Sequence, residues 1–322
     1  MTQETLSAKG GKNSRLDKFL SSHLSDFSRT QIQKMINDGL VLVNGVHFKV
    51  GYKLDGSETI HYTLPKLEPE MNRIEPEKIP LEILFEDDAI IAINKSAGLV
   101  VHPGVGQKSG TLVNALAYHF NQLSDVNGSL RPGIVHRLDQ NTSGVILVAK
   151  NNKAHANLAA QFEQRTIQKE YVGITWGCWK EIEGLIDDSI KRKRSDPTSY
   201  QIDESGRQAL THYKTVIAGS ILSEVNFFPK TGRTHQIRVH SASINHPIFG
   251  DEKYGGGLNK TKGFVPEITQ VLKQLLKGIS RHALHAKRIS FRHPSTEKQV
   301  EVNAPIPGDL EKIIEAFPRI NG

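Results

Sequence analysis

The stretch from Arg131 to Lys150, RPGIVHRLDQNTSGVILVAK, decides how the rest of the chain is read. Its second half, Val145-Ile146-Leu147-Val148-Ala149, is a continuous apolar run, the pattern of a strand buried on both faces. Just before it stands Asp139, two residues from Arg137 and separated from the strand by Asn141, Thr142, Ser143 and Gly144. These are small or turn-forming residues whose hydroxyls and amides can bend the backbone and donate hydrogen bonds to a carboxylate. A charge at the mouth of a buried strand is costly unless paired, and function is the usual reason to retain one. Two readings of Asp139 therefore stand side by side: a turn cap, or a group that does chemistry.

Towards the C-terminus, Ala154 to Glu163 has the period of an amphipathic helix with Leu158 and Phe162 inward, and Gln168 to Ile174 alternates like a strand. Tyr171 lies in that strand, where pattern alone makes it a core aromatic. Lys191-Arg192-Lys193-Arg194 is a basic run read as a loop, either merely solvated or in contact with phosphate. From Val225 the sequence VNFFPKTGRTHQIRVH gives a strand and a turn at Pro229 to Gly232, followed by HPIFGD at 246–251, KYG at 253–255 and RHALHA at 281–286. Its histidines, His235, His240, His246, His282 and His285, match no local metal-ligand spacing, so no metal site is expected.

Towards the N-terminus, Ile83-Leu84-Phe85 and Ile90-Ile91-Ala92-Ile93 bracket Glu86-Asp87-Asp88. A hairpin turn explains these acids more simply than a metal cluster does. KSAGLVVHPG follows at 95–104, and a helix is expected around Asn114, Leu116 and His119. The glycines between 104 and 111 do not make a phosphate loop, because Lys108 lacks the required preceding glycine. Leu64 to Pro80 carries four prolines among charges, and residues 65–80 are read as an extended linker. Upstream, Leu16, Phe19, Leu20 and Leu24 recur at helical spacing. Ser28 is a plausible N-cap for a second helix with Ile32, Met35 and Ile36 on one face, ended by Gly39. Val41-Leu42-Val43 and His47-Phe48-Lys49-Val50 flank Asn44-Gly45, a two-residue hairpin signal. Residues 1–14 lack apolar period and are read as a flexible tail.

The composition bounds these readings. A chain of 322 residues holds one large domain and a small one, and a net charge of +7 with a pI near 9.3 favours a polyanionic partner. A single cysteine, Cys178, excludes an internal disulfide framework and fits a reducing cytosol. No apolar run approaches the roughly 18 residues of a membrane span, so a soluble cytoplasmic protein is expected.

HRLDQNTSG, His136 to Gly144, resembles the HRLDxxTSG signature of the RluA/RluD-type pseudouridine synthases, in which the aspartate is catalytic. KSAGLVVHPG, GRTHQIRVH, HPIFGDEKYG and RHALHA are similar to further motifs of that family, in its order, so the resemblance covers 81 to 300. The chain departs from the family at Gln140, usually Lys or Arg, and at Ser96, usually Pro. The helix, helix, hairpin order of 15–64, with Arg29, Lys34, Lys49 and Lys53 exposed, is similar to the S4 RNA-binding module; a small capping domain with a solvated surface is the bland alternative. The resemblance implies an α+β chain: the S4-like module at 15–64, then at 81–322 a catalytic domain with a mixed, largely antiparallel β-sheet and flanking helices.

It further implies conversion of uridine to pseudouridine in RNA, with large-subunit (23S-type) ribosomal RNA or the large-subunit precursor as partner, no cofactor, and a monomer. Asp139, Tyr171 and Arg238 are then the catalytic set, Arg238 pairing with the aspartate and Tyr171 stacking on the uracil and accepting a proton. Arg137, Ile237 and His136 are assigned to substrate binding, Arg137 filling the gap left by an extruded base. Lys191, Arg192, Lys193 and Arg194 join the S4-like cations in holding RNA. A non-catalytic S4-containing ribosome-assembly factor is the alternative in another class.

Overall fold

The computed structural model describes residues 2–24, 27, 29–64, 74–104, 106–126 and 131–321. The chain forms two compact units, Met1–Asn72 and Arg73–Gly322.

The first unit contains β1 (Thr2–Ser7), α1 (Leu16–His23), α2 (Arg29–Asn37), β2 (Val41–Val43) and β3 (Thr59–Leu64). Leu16, Phe19 and Leu20 from α1 meet Ile32, Met35 and Ile36 from α2 in one core, with Val41, Val43 and Ile60 beneath. Burying each such side chain contributes about 1.5–3 kcal/mol, enough to offset the mediocre helix propensity of these short segments. Two expectations fail here. Residues 1–14 are not a free tail, because β1 pairs antiparallel with β3 from Thr2–Leu64 to Ser7–Thr59. An edge strand held by backbone bonds needs no apolar period to form. Nor does 47–50 return as the hairpin's second strand. Asn44 and Gly45 turn with φ of 49° and 79°, but the chain then leaves, His47 Nε2 lying 2.6 Å from the Ile36 carbonyl at the end of α2. Strand β3 takes the vacant place, giving the order β1-β3-β2. The proposed N-cap, Ser28, lies outside the described residues, as does 65–73 of the expected linker. Residues 74–80 lie along the second unit: Asn114 Nδ2 donates to the Glu75 carbonyl at 2.8 Å, and the Gly110 N–H donates to the Glu77 carboxylate at 2.9 Å.

The second unit comprises β4 (Glu82–Glu86), β5 (Ile90–Lys95), α3 (Leu112–His119), β6 (Ser143–Ala149), α4 (Asn152–Glu163), β7 (Gln168–Trp176), β8 (Glu183–Asp187), β9 (Ile190–Arg192), β10 (Tyr200–Ile202), β11 (Leu210–Ile217), β12 (Leu222–Pro229), α5 (Gln236–Ser243), α6 (Pro266–Ile279), β13 (Leu284–Arg292), β14 (Gln299–Asn303), α7 (Gly308–Glu315) and α8 (Phe317–Asn321). Its nine-stranded sheet runs β4-β5-β6-β13-β7-β12-β11-β8, with β14 also on β13. The β6–β13 pair is parallel and the other pairs are antiparallel, as the resemblance implies. The Glu86-Asp87-Asp88 turn is a turn: Asp87 Oδ1 accepts from the N–H groups of Ala89 and Ile90 at 2.8 and 2.9 Å.

Strand β6 is buried at all seven positions, and its alternation explains why. Val145, Leu147 and Ala149 pack with Ala154 and Leu158 of α4 on one face. Ile146 and Val148 pack with Leu112, Val113 and Leu116 of α3 on the other. A helix on each face makes the run continuously apolar. At its start Gly144, with φ of 113°, lies so close to β13 that a Cβ would come within 2.1 Å of the Ala286 carbonyl oxygen. Only glycine fits there, and the fit sets where the Asp139 loop ends.

Candidate active site

Asp139 stands in the loop entering β6, and that loop is tied down from several sides. The Thr142 N–H donates to the Asp139 carbonyl at 3.1 Å. Lys95, at the end of β5 and 1% exposed, donates from Nζ to the carbonyls of Ser96, Leu99 and Gln140 at 2.8, 2.9 and 2.9 Å. Gly98 N–H donates to the same Gln140 carbonyl at 2.9 Å, so the carbonyl of the residue following Asp139 is anchored twice. Burial, helped by Arg281, brings the Lys95 ammonium down to about 7, while the charge of Asp139 works the other way. The hydroxyls of Thr142 and Ser143, expected near the carboxylate, turn instead to His282 Nε2 and His285 Nδ1 at 2.8 and 2.9 Å.

Arg238, on the first turn of α5, reaches across. Its Nη1 donates to Asp139 Oδ2 at 3.1 Å, while Nε and Nη2 donate to Asp251 Oδ2 and Oδ1 at 2.7 and 2.9 Å. The Tyr254 ring lies 4.9 Å from its guanidinium carbon. Burial works against this charge, but the hydrogen bonds and charge of Asp251, with Asp139 behind them, outweigh it and raise the pKa further. Asp251 thus orients a guanidinium whose third nitrogen, Nη1, faces Asp139. His235, at φ 58° just before α5, bonds through Nδ1 to the Tyr254 hydroxyl at 2.7 Å, and its Nε2 lies 3.8 Å from Asp139 Oδ2. Burial lowers its pKa in spite of Asp139, so the ring is neutral near pH 7.

Asp139 and Arg238 share a cavity of about 530 Å³ with Arg137, Tyr171, His235 and Ile237. Its size is that of a small-molecule site. Tyr171 projects from β7, and burial together with Asp139 pushes its phenol well above the ordinary value. The hydroxyl therefore stays protonated at neutral pH, which suits a flat stacking face and opposes the phenolate form. Ile237 is 6% exposed and belongs to the core that Leu284 and Phe227 share. His136 has its Nε2 engaged by the Leu147 N–H at 2.8 Å and its ring 4.7 Å from Phe162. Burial, then Lys169, hold it down to about 3. What it offers to the cavity is a wall. Arg137 is exposed at the mouth.

The predicted RNA cations divide. Lys34, Lys49 and Lys53 are exposed, but Arg29 is tied by Nη2 and Nε to Asp17 Oδ2 at 2.7 and 2.9 Å, an interaction invisible in the helix pattern. The run Lys191 to Arg194 begins on a strand: β9 pairs with β10, Lys191 Nζ donates to Ser205 Oγ at 2.6 Å, and Arg192 Nη2 donates to the Tyr200 hydroxyl at 3.3 Å. Lys193 is half-buried and Arg194 is exposed beyond it. Of the five histidines, His240 bonds to Thr211 Oγ1 and lies 3.1 Å from the Asp188 carbonyl, and His246 bonds to the Trp176 carbonyl. Lys95, Asp251 and Tyr254 lie in recognisable motifs, but nothing in the sequence alone gives these residues roles. The GD and KYG segments sit beyond α5, and only the fold brings them under Arg238.

Residues 89–243 match the RNA pseudouridylate synthase family, and residues 14–60 match the S4 domain. The chain is 40% identical to an uncharacterized RNA pseudouridine synthase of Bacillus subtilis, over 97% of this chain and 96% of that one. It is 38% identical to the ribosomal large subunit pseudouridine synthase D of Pasteurella multocida, over 98% and 96%. Two solved human structures, RNA pseudouridylate synthase domain containing 1 and 4, share the fold with TM-scores of 0.54 and 0.55 at 24% and 23% identity, covering 75% and 74% of this chain and 96% and 92% of theirs. With near-complete coverage at this identity, the chain belongs to the RNA pseudouridine synthase family and carries an S4 domain at its N-terminal side.

Proposed function

We propose that the chain isomerises uridines of large-subunit ribosomal RNA, acting as a monomer in the cytoplasm, with Asp139 as the catalytic carboxylate. The observation that supports this most is the Asp139–Arg238 contact at 3.1 Å on the wall of a cavity that also holds Tyr171, Ile237 and Arg137. In the reaction the N1–C1′ bond of uridine breaks, the uracil turns, C5 bonds to C1′, the C5 proton leaves and N1 takes up a proton. Nothing is oxidised, so the chemistry asks for a carboxylate, a closed pocket and a grip on the detached base. A carboxylate beside C1′ can stabilise cationic character, add to C1′, or take a sugar proton. Each option needs an oxygen that the guanidinium does not occupy, and Arg238 bonds to Oδ2. Tyr171 supplies the flat face under the uracil, Ile237 the apolar side, and Arg137 enters the gap the extruded nucleotide leaves. The ribosomal target rests on the pseudouridine synthase D relatives and on the exposed lysines of the S4 unit.

Tritium release from RNA labelled at uridine C5 tests the reading. Wild type should release tritium, and Asp139→Asn should lose at least about a thousandfold in rate while binding RNA as before. No release by either protein would support a binding-only role, and cleaved RNA would overturn both. Mapping pseudouridines in ribosomal RNA from cells with and without the gene tests the target.

A further inference from the structure

The mouth of the Asp139 cavity carries more positive charge than catalysis uses. Besides Arg238, its lining includes Arg137, Arg165, Lys169, Lys230 and Arg233, against Asp139 and Glu163 as acids. Among the described residues none of these five cations has a carboxylate within ion-pair distance. They come from separate segments: Arg165 and Lys169 from the α4–β7 corner, Lys230 and Arg233 from the turn between β12 and α5, Arg137 from the Asp139 loop. Lys169 shows the cost of crowding them. Burial first, and then Lys230, pull its ammonium down to about 8.

Arg165 breaks a local rule as well. Helix α4 ends in a Schellman arrangement: the Arg165 N–H donates to the Phe162 carbonyl at 3.3 Å and the Thr166 N–H to the Gln161 carbonyl at 3.0 Å. The residue at that bend has φ of 60°, where glycine is strongly preferred, yet here it is an arginine with an exposed side chain on the cavity rim. A strained backbone and an unpaired charge coincide at one residue, which is how binding sites depart from folding rules.

We propose that the α4–β7 corner and the β12–α5 turn form a two-sided phosphate clamp, Arg165 and Lys169 on one side and Lys230 and Arg233 on the other, gripping the RNA backbone flanking the extruded uridine. The ligand is a phosphodiester chain, read by charge and not by base. This rests on the pseudouridine synthase reading, because the clamp serves the nucleotide that Asp139 attends.

The test uses the full chain and a uridine-containing ribosomal RNA fragment, with dissociation constants measured across a salt series. In the Arg165→Gly/Lys230→Gln variant the slope of log affinity against log salt should flatten by about 0.7 per lost single-strand phosphate contact, so by about 1.4, and affinity at 0.1 M salt should fall about tenfold or more. Arg165→Gly alone should melt at or above the wild-type temperature, since glycine relaxes the bend, while still weakening RNA binding. That split separates a ligand contact from a structural one. Lys230→Arg should restore the Lys230 share of the slope. Unchanged affinity and slope in the folded double variant would overturn the clamp while wild-type tritium release still upheld the enzyme. Absent release with a flattened slope would sink the enzyme, and with it the clamp's place beside an extruded uridine, leaving only a phosphate contact.

Discussion

Asp17 in the first unit and Asp139 in the second are both held by arginine, yet only Asp139 lines a cavity. Asp17, on the first turn of α1, is fully buried and accepts from Arg15 Nε at 3.0 Å, Arg29 Nη2 at 2.7 Å and Gln33 Nε2 at 2.8 Å. Burial pushes its pKa up, but the bonds from Gln33, Arg29 and Arg15 prevail and bring it from 3.8 to about 2. Asp139 has one arginine at 3.1 Å and a neutral histidine at 3.8 Å, with its side chain 18% exposed to the cavity. The partner chemistry is the same. What differs is saturation: Asp17 has donors on both oxygens and fixes two helices, whereas the guanidinium on Asp139 leaves an oxygen for substrate.

That difference depends on Asp251, which engages the other two nitrogens of Arg238, Nε and Nη2. Removing its charge should let Arg238 swing onto Asp139 and fill it as Asp17 is filled. Asp251→Asn is therefore expected to lower the single-turnover rate at saturating RNA by about a hundredfold, the effect of misplacing a catalytic group by about 1 Å, with little change in RNA affinity. Equal losses in rate and affinity would mean that Asp251 holds the fold of the RNA surface and does not tune the carboxylate.

The converse change acts on stability. Asp17→Ala removes the acceptor that two arginines share, and because those arginines are 44% and 46% exposed they can rehydrate, so the loss should be about 2–3 kcal/mol, below that of a fully buried pair. Faster amide exchange across α1 and α2 in the full chain reads it, and unchanged exchange would overturn it. The folded pKa of Asp17 lies below its ordinary value, so its stabilisation is complete above pH 3.8 and drains away as pH falls towards 2. Asp17→Asn should erase that acid-side slope. A slope unchanged by the substitution would assign the acid sensitivity elsewhere.

The contrast also marks what could be read from the residue order. Asp139 and Arg238 were legible as candidates because each sits in a motif with fixed neighbours, Tyr171 only through the family resemblance, and β6 because a strand with a helix on both faces must be apolar throughout. Asp17 was not, since a lone acid at the start of an amphipathic helix looks like any solvated residue, and its partners come 12 and 16 residues later. Strand β1 escaped because backbone pairing to β3 leaves no trace in side-chain period. Arg165 escaped because a helix end is normally recognised by its glycine, and this one has none. In each case the decisive partner is distant in sequence or lies in the backbone.

The smallest expected effect bears on the same lesson, because Arg29 and Lys34 lie on one helix and looked alike in sequence. Arg29 bonds to Asp17, whereas Lys34 is exposed. Arg29→Ala should therefore cost mainly stability, about 1 kcal/mol given a half-exposed side chain with two partners left on Asp17, and little of the salt dependence of RNA binding. Lys34→Ala should do the reverse: no change in melting, and a salt slope flatter by about 1. If the two variants behaved alike, the ion pair inside the S4 unit would be opening to meet RNA, and Asp17, unlike Asp139 with its oxygen already left for substrate, would be a carboxylate that gives up a partner when RNA arrives.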